Sequence, residues 1–231
     1  MKAAIFDLDG TLMDTEIIWV DGTRKYLRQR GCRISREAVL AIVYGRSWRQ
    51  VYADIISRFP SLGITIEVME VELSAVMQQM QDELGDKLII RESVSLLRRL
   101  AGEIPVCIVS GSPCADIERA VRRMGIADEL AFFIGADQYG PGKPDPTCFL
   151  MARERLGVAA ADCVVFEDSA AGVRAAKAAG MHCVALARPG MPPQDVSPAD
   201  LVVADLGDFD LEELKLQSRR NSNGKSSKDG D

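Results

Sequence analysis

Short apolar runs alternate along most of this chain with segments of helical periodicity, and that alternation narrows the fold more than any other feature. The runs are residues 3–6 (AAIF), 105–109 (PVCIV), 131–134 (AFFI), 163–166 (CVVF), 183–186 (CVAL) and 201–203 (LVV). Each is short and apolar throughout, as a strand buried on both faces is. Between them, "ADIERAVRRMG" (115–125) sets Ile117, Ala120, Val121 and Met124 at helical spacing and stops at Gly125. "CFLMARERLG" stops at Gly157 by the same device, and "SAAGVRAAKAAG" opens on a capping Ser169 and closes on Gly180. Strands that alternate with helices across short loops predict an α/β fold with a parallel sheet covered on both faces.

Residues 16 to about 88 break this rhythm. "EIIWVDGTRKYLRQRG", "REAVLAIVYG", "SWRQVYADIISRF" and "EVMEVELSAVMQQMQDELG" are successive amphipathic segments with no strand between them. They predict a small helical domain inserted after the first strand, with Met69, Met77 and Met80 packing its core. From residue 217 on, "QSRRNSNGKSSKDGD" is polar and nearly devoid of apolar side chains, which predicts disorder.

Composition excludes several function classes. The chain carries 28 Lys and Arg against 34 Asp and Glu, and five of those basic and two of those acidic residues lie from Lys215 on. The remainder, 23 against 32, would repel nucleic acid, and no basic stripe interleaved with aromatics is present. No apolar stretch reaches the roughly 18 residues a membrane span needs, and the first residues are too short an apolar run for a signal peptide. No protein partner is indicated. Cys32, Cys107, Cys114, Cys148, Cys163 and Cys183 show no metal-binding spacing, so reduced thiols in a cytoplasmic setting are expected.

Four polar clusters each follow a strand-like run: Asp7-Leu8-Asp9-Gly10-Thr11, Ser110-Gly111-Ser112, Gly142-Lys143-Pro144-Asp145 and Glu167-Asp168-Ser169. Singly, each has a plain reading as a turn, a loop or a helix cap. Ligands of open parallel sheets bind at the carboxyl ends of the strands, so four such clusters in series predict one crevice. Asp7 and Asp9, two apart on an extended chain, can face one substrate. An ionised carboxylate can attack phosphorus or carbon, and a second, held among other acids, can protonate a leaving group. Crowding Asp7, Asp9, Glu167 and Asp168 calls for a hard cation, and an anionic substrate points to Mg²⁺. Lys143 would offset negative charge, and Ser110 with the N–H groups after it would hold phosphate oxygens.

The lines "FDLDGTLMDTE", "VSGSPCADIERAVRRMG", "GKPDPTCFLMARERLG" and "FEDSAAGVRAAKAAGM" together resemble the haloacid dehalogenase-like (HAD) hydrolase superfamily, in its β-phosphoglucomutase/CbbY-like branch of phosphatases with a helical cap after the first motif. The resemblance implies a Rossmann-like core (residues 1–14 and 90–214), a cap (15–89) and a tail (215–231). It implies Asp7 as nucleophile forming an aspartyl-phosphate, and Asp9 as general acid and then base. Ser110, Gly111 and Lys143 would bind phosphate. Asp7, Asp9 through its carbonyl, and Asp168 with Glu167 would hold Mg²⁺. Dehalogenases and phosphonoacetaldehyde hydrolases lack the second aspartate, whereas Asp9 is present. β-Phosphoglucomutases carry a histidine five residues after the "DT" aspartate, where this chain has Trp19. A Pro-Gly turn usual before the helix that re-enters the core is replaced by Arg91-Glu92-Ser93.

The expected function is therefore Mg²⁺-dependent hydrolysis of a small phosphorylated metabolite, a sugar or polyol phosphate. The alternatives are a phosphosugar mutase and a catalytically silent phosphate- and metal-binding protein. Substrate choice is expected in the cap, in "YGRSWRQ", with Tyr44, Arg46, Trp48 and Arg49 as candidates. A second reading of the same loop makes Ser47 a helix cap and buries Trp48 in the cap core.

Overall fold

The computed structural model describes residues 1–43, 48–191 and 193–210. Two compact units divide the chain, one formed by residues 1–13 with the described residues from 89 on, the other by residues 14–88.

In the first unit the described strands are β1 (Ala3–Phe6), β2 (Val106–Val109), β3 (Phe132–Ile134), β4 (Cys163–Glu167), β5 (His182–Leu186) and β6 (Leu201–Val203). They form one parallel sheet in the order β3-β2-β1-β4-β5-β6, a Rossmann-like arrangement. The chain winds outward through β2 and β3 and then returns to place β4 against β1. That reversal leaves a crevice at the carboxyl ends of β1 and β4. Register aligns the two ends, with Phe6 opposite both Ile108 and Phe166.

Both faces of the sheet are covered, which is why its strands read as unbroken apolar runs. Alternate residues Ala3, Ile5, Cys107, Val109, Ile134, Val165 and Cys183 join one buried cluster with Cys148, Phe149 and Ala152 of α7 (Thr147–Leu156) and Val173, Ala175 and Ala176 of α8 (Ala170–Ala178). On alternate positions between them, Phe6 stacks on Phe166 at 4.5 Å between ring centroids, and Phe166 meets Phe209 edge-on. The unit also contains α5 (Arg91–Ala101) and α6 (Cys114–Met124). Where the Pro-Gly turn is usual, Ile90 is extended and α5 begins directly at Arg91. Gly125 and Gly157 end α6 and α7 in the left-handed region, which a residue with a Cβ disfavours.

The second unit holds α1 (Glu16–Gln29), α2 (Arg36–Val43), α3 (Trp48–Arg58) and α4 (Ile66–Leu84). Tyr26, Leu27, Val39, Val51, Ile55, Met69 and Leu73 form its buried core, with Met77 and Trp48 packed against it. Met77 and Met80 lie over Gly22 of α1, where a Cβ would come within 3.2 Å of the Met77 side chain. The methionine stripe is packing, as expected. The six cysteines are free thiols, and among the described residues no helix is long and apolar enough to cross a membrane. Tyr44, Arg46, Ser47 and the tail from 215 lie outside the described residues.

Candidate active site

Strand β1 delivers Asp7 to the crevice in a buried position, its N–H donating to the Phe166 carbonyl at 2.9 Å. The chain then turns sharply. Gly10 takes a φ of +86°, and its missing Cβ leaves room for the Asp168 carboxylate, which would otherwise overlap it. Thr11, fully buried, donates its hydroxyl to Asp168 Oδ1 at 3.3 Å.

Lys143 arrives on the loop after β3 and reaches the same point. Its ammonium donates to Asp7 Oδ1 at 2.5 Å, Glu167 Oε1 at 2.7 Å and the Val109 carbonyl at 3.3 Å, one acceptor for each of its three N–H bonds. The Phe149 ring lies 5.1 Å away. Burial pulls the Lys143 pKa down, but Asp7 and Glu167 outweigh it and hold the group well above its usual range, fully charged.

The carboxylates show the opposite strain. Burial raises the Asp7 pKa well above its usual range; Lys143 opposes this, and Glu167, Asp168 and Asp9 reinforce it. Asp168 is pushed up to about 8 by burial and by Glu167, against the pull of Lys143 and Arg188. Negative charge thus exceeds what one lysine neutralises.

Asp9 has different partners. Its Oδ2 accepts from Ser112 Oγ at 2.6 Å and from Ser110 Oγ at 3.1 Å, and the Ser110 hydroxyl accepts in turn from the Ser112 N–H at 2.9 Å. Gly111 between the two serines is exposed, with open space where a Cβ would stand. Both oxygens of Glu167 are engaged, Oε1 by Lys143 and Oε2 by the N–H and hydroxyl of Ser169 at 2.7 and 2.9 Å. Expected among the metal ligands, Glu167 is in this structure an anchor for Lys143 and for the start of α8.

Among the described residues no group of three His, Cys, Asp or Glu side chains stands together as a metal cage. The donor set nevertheless fits a hard divalent cation. Asp7 and Asp168 are crowded carboxylates whose ionised forms are disfavoured, and a cation at their oxygens would relieve that. The resemblance implies the main-chain carbonyl of Asp9 as a further donor to such a shell.

Gly172 adds a packing requirement. It lies in the first turn of α8, its N–H bound to Ser169 Oγ at 3.0 Å, and an added Cβ would overlap the Glu167 carboxylate. Alanine gains up to about 1 kcal/mol in helix propensity. Displacing Glu167 from Lys143 and Ser169 costs more, so Gly172→Ala should destabilise the fold by about 1–3 kcal/mol. Urea denaturation measures this, and a stabilised variant would contradict it.

Asp7, Asp9, Ser110, Gly111, Lys143, Glu167 and Asp168 were the residues expected at one strand-end region, and Ser112, in the same cluster as Ser110, and Arg188 act there as well. Ser112 was legible from its i, i+2 relation to Ser110. Arg188, in the loop after β5, is preceded by no motif, and only the fold brings its charge near Asp168. In the other unit, Trp48 opens α3 half-buried against that unit's core, and Arg49 is exposed.

Known proteins are similar to this chain in sequence and fold. The bifunctional riboflavin kinase/FMN phosphatase of Arabidopsis thaliana is 32% identical over 228 residues, which are 93% of this chain but 56% of that protein. The chain therefore spans little more than half of that relative. The fructose-1-phosphate phosphatase YqaB of Escherichia coli (strain K12) is 30% identical over 180 residues, 78% of this chain and 93% of its own. The crystal structure of β-phosphoglucomutase from Clostridium difficile has the same fold, with a TM-score of 0.73 at 24% identity over 96% of this chain and 98% of that one. The haloacid dehalogenase-like hydrolase family matches residues 1–180, a span that contains all four polar clusters, and the chain belongs to that family.

Proposed function

We propose that this protein is a Mg²⁺-dependent phosphomonoesterase that hydrolyses a small sugar or polyol phosphate through an aspartyl-phosphate at Asp7. The observation that carries this reading is the division of labour between the two aspartates. Asp7 is paired with a charged lysine, and Asp9 is held through one oxygen by two serine hydroxyls. The names of the relatives agree with it, among them the fructose-1-phosphate phosphatase and a phosphorylated carbohydrates phosphatase of Thermotoga maritima.

An Asp7 carboxylate oxygen attacks phosphorus while the bond from phosphorus to the ester oxygen breaks. The leaving oxygen takes a proton from Asp9. Because Oδ2 of Asp9 already accepts two hydroxyls, Oδ1 is the atom that carries this proton. Asp9, now ionised, takes a proton from a water that attacks the same phosphorus. The bond to the Asp7 oxygen breaks, releasing phosphate and restoring the carboxylate. Lys143 faces the negative charge that grows on the phosphoryl oxygens. Mg²⁺, held by Asp7, Asp168 and the Asp9 carbonyl beside Glu167, would neutralise charge shared between these carboxylates and the substrate.

Release of inorganic phosphate from p-nitrophenyl phosphate and from a panel of sugar and polyol phosphates, with Mg²⁺, tests the reading. Absence of Mg²⁺-dependent release from all of them would sink it. Conversion of β-glucose 1-phosphate to glucose 6-phosphate with little free phosphate would replace it with the mutase reading.

The carboxylate shifts also predict a pH effect. The unfolded chain loses its Asp protons near ~4, whereas folded Asp168 keeps its proton up to about 8. A raised folded-state pKa contributes stability that is complete below the unfolded value and is lost as pH rises through the folded one. Metal-free protein should therefore melt lower at about pH 8.5 than at about pH 6, other groups being unchanged, and Mg²⁺ should raise the melting temperature more at the higher pH. Melting curves with and without Mg²⁺ read this directly. An equal Mg²⁺ effect at both pH values would contradict it.

A further inference from the structure

The end of β3 and the loop that follows it contact the serine loop at four hydrogen bonds. The Ser110 N–H donates to the Ile134 carbonyl, and the Ala136 N–H donates to the Ser112 carbonyl, each at 3.0 Å. The Tyr139 hydroxyl donates to the Ser110 carbonyl at 3.0 Å, and Asp137 Oδ1 accepts the Cys114 N–H at 2.8 Å. Main-chain bonds of this sort survive most substitutions, but the last two depend on side-chain identity.

Two features show how closely the loops are matched. At Gly135 a Cβ would stand 2.6 Å from the Cys114 nitrogen, so the approach admits only glycine. Helix α6 begins after Pro113, which has no side-chain acceptor to offer, and Asp137 accepts a first-turn N–H from across the gap. Donation from the Cys114 thiol and N–H holds the Asp137 carboxyl below its usual range, so the acceptor stays ionised. The Tyr139 ring packs against the sheet's buried cluster, and its burial pushes the phenol pKa up, so the hydroxyl keeps the proton it donates. Four residues beyond Tyr139 the same loop delivers Lys143.

We propose that Asp137 and Tyr139 are positioning residues for phosphate binding: they clamp the main chain of residues 110–114, so that the loop is already ordered when a phosphoryl group draws the Ser110 and Ser112 hydroxyls from Asp9. The proposal rests on the phosphate-site reading above. The Ser110 main chain is then held at its N–H and its carbonyl, and only the hydroxyl, which donates to Asp9, has to turn when substrate enters. Preorganised donors bind more tightly than donors that must be ordered on binding.

The test measures the Kd of inorganic phosphate with Mg²⁺ by titration calorimetry, alongside kcat and KM for p-nitrophenyl phosphate. Tyr139→Phe removes one oxygen and keeps the packed ring. It should weaken phosphate binding and raise KM by about three- to ten-fold, with kcat changed by less than about two-fold. Asp137→Ala should act in the same direction, and Asp137→Asn, whose amide oxygen still accepts, should restore Kd to within about two-fold. A lowered melting temperature with Kd and KM unchanged in both variants would mean that the contacts only stabilise the fold, and would overturn the proposal. Should the native protein bind phosphate yet release none from any ester, the hydrolase reading falls and Kd alone decides the clamp. A native protein that binds no phosphate overturns both.

Discussion

Asp7→Asn should abolish phosphate release, lowering kcat/KM on the order of a thousand-fold or more. An amide cannot attack phosphorus as a carboxylate does, and no neighbour is arranged to replace it: Asp9 is committed to Ser110 and Ser112, and Glu167 to Lys143 and Ser169. The fold should survive. Asparagine keeps an oxygen for the Lys143 ammonium, which retains Glu167 and the Val109 carbonyl, and the substitution removes one of several crowded negative charges. The metal-free variant should therefore melt no lower than the native protein. Acid-quenched native enzyme should carry a phosphoryl group on the peptide containing Asp7, and the variant should not. Turnover at the native rate by Asp7→Asn would rule out nucleophilic catalysis at this residue.

Lys143→Ala should have the largest effect on stability. The lysine side chain is 10% exposed and stands between Asp7 and Glu167, whose side chains are 8% and 1% exposed. Removing the cation leaves two buried carboxylates without a counter-charge, a change that costs about 3–5 kcal/mol. For a chain of this size about 1 kcal/mol moves the melting temperature by 2–4 °C, so a fall of roughly 10 °C is expected. The surface pair of Lys2 with Asp162, at 69% and 32% exposure, provides the contrast. Lys2→Ala should cost no more than about 1 kcal/mol, because water screens and solvates both partners. Mg²⁺ should recover part of the loss in Lys143→Ala by supplying positive charge to the same carboxylates. A fall below about 2 °C in metal-free protein would mean that the lysine is not the counter-charge of these carboxylates.

Much of this architecture is local enough to read along the chain. The apolar runs at 3–6 and 201–203 match β1 and β6 residue for residue, and the others differ by a residue at one end. The run at 105–109 loses its first residue because Pro105 has no N–H to donate, and it contributes only its carbonyl, to Ala4. Gly125 and Gly157 announced helix ends because a left-handed C-cap excludes most other residues. The gathering of Asp7, Ser110, Lys143 and Asp168 followed from a general property of parallel sheets, in which strand carboxyl ends share one edge.

What escaped is the pairing of side chains across long stretches of sequence. Nothing near Glu167 indicates that one of its oxygens belongs to Lys143, nor does anything near Asp137 foretell a contact with Cys114 at the start of α6. Periodicity and capping chemistry act over a few residues, so they set strands, helix ends and the placing of polar clusters at strand ends. Hydrogen-bond partners, burial and the resulting protonation of Asp7, Lys143 and Asp168 depend on which strands lie side by side. The return of β4 to β1 decides that, because in a crowded, poorly hydrated crevice each charge answers to its nearest neighbours in space.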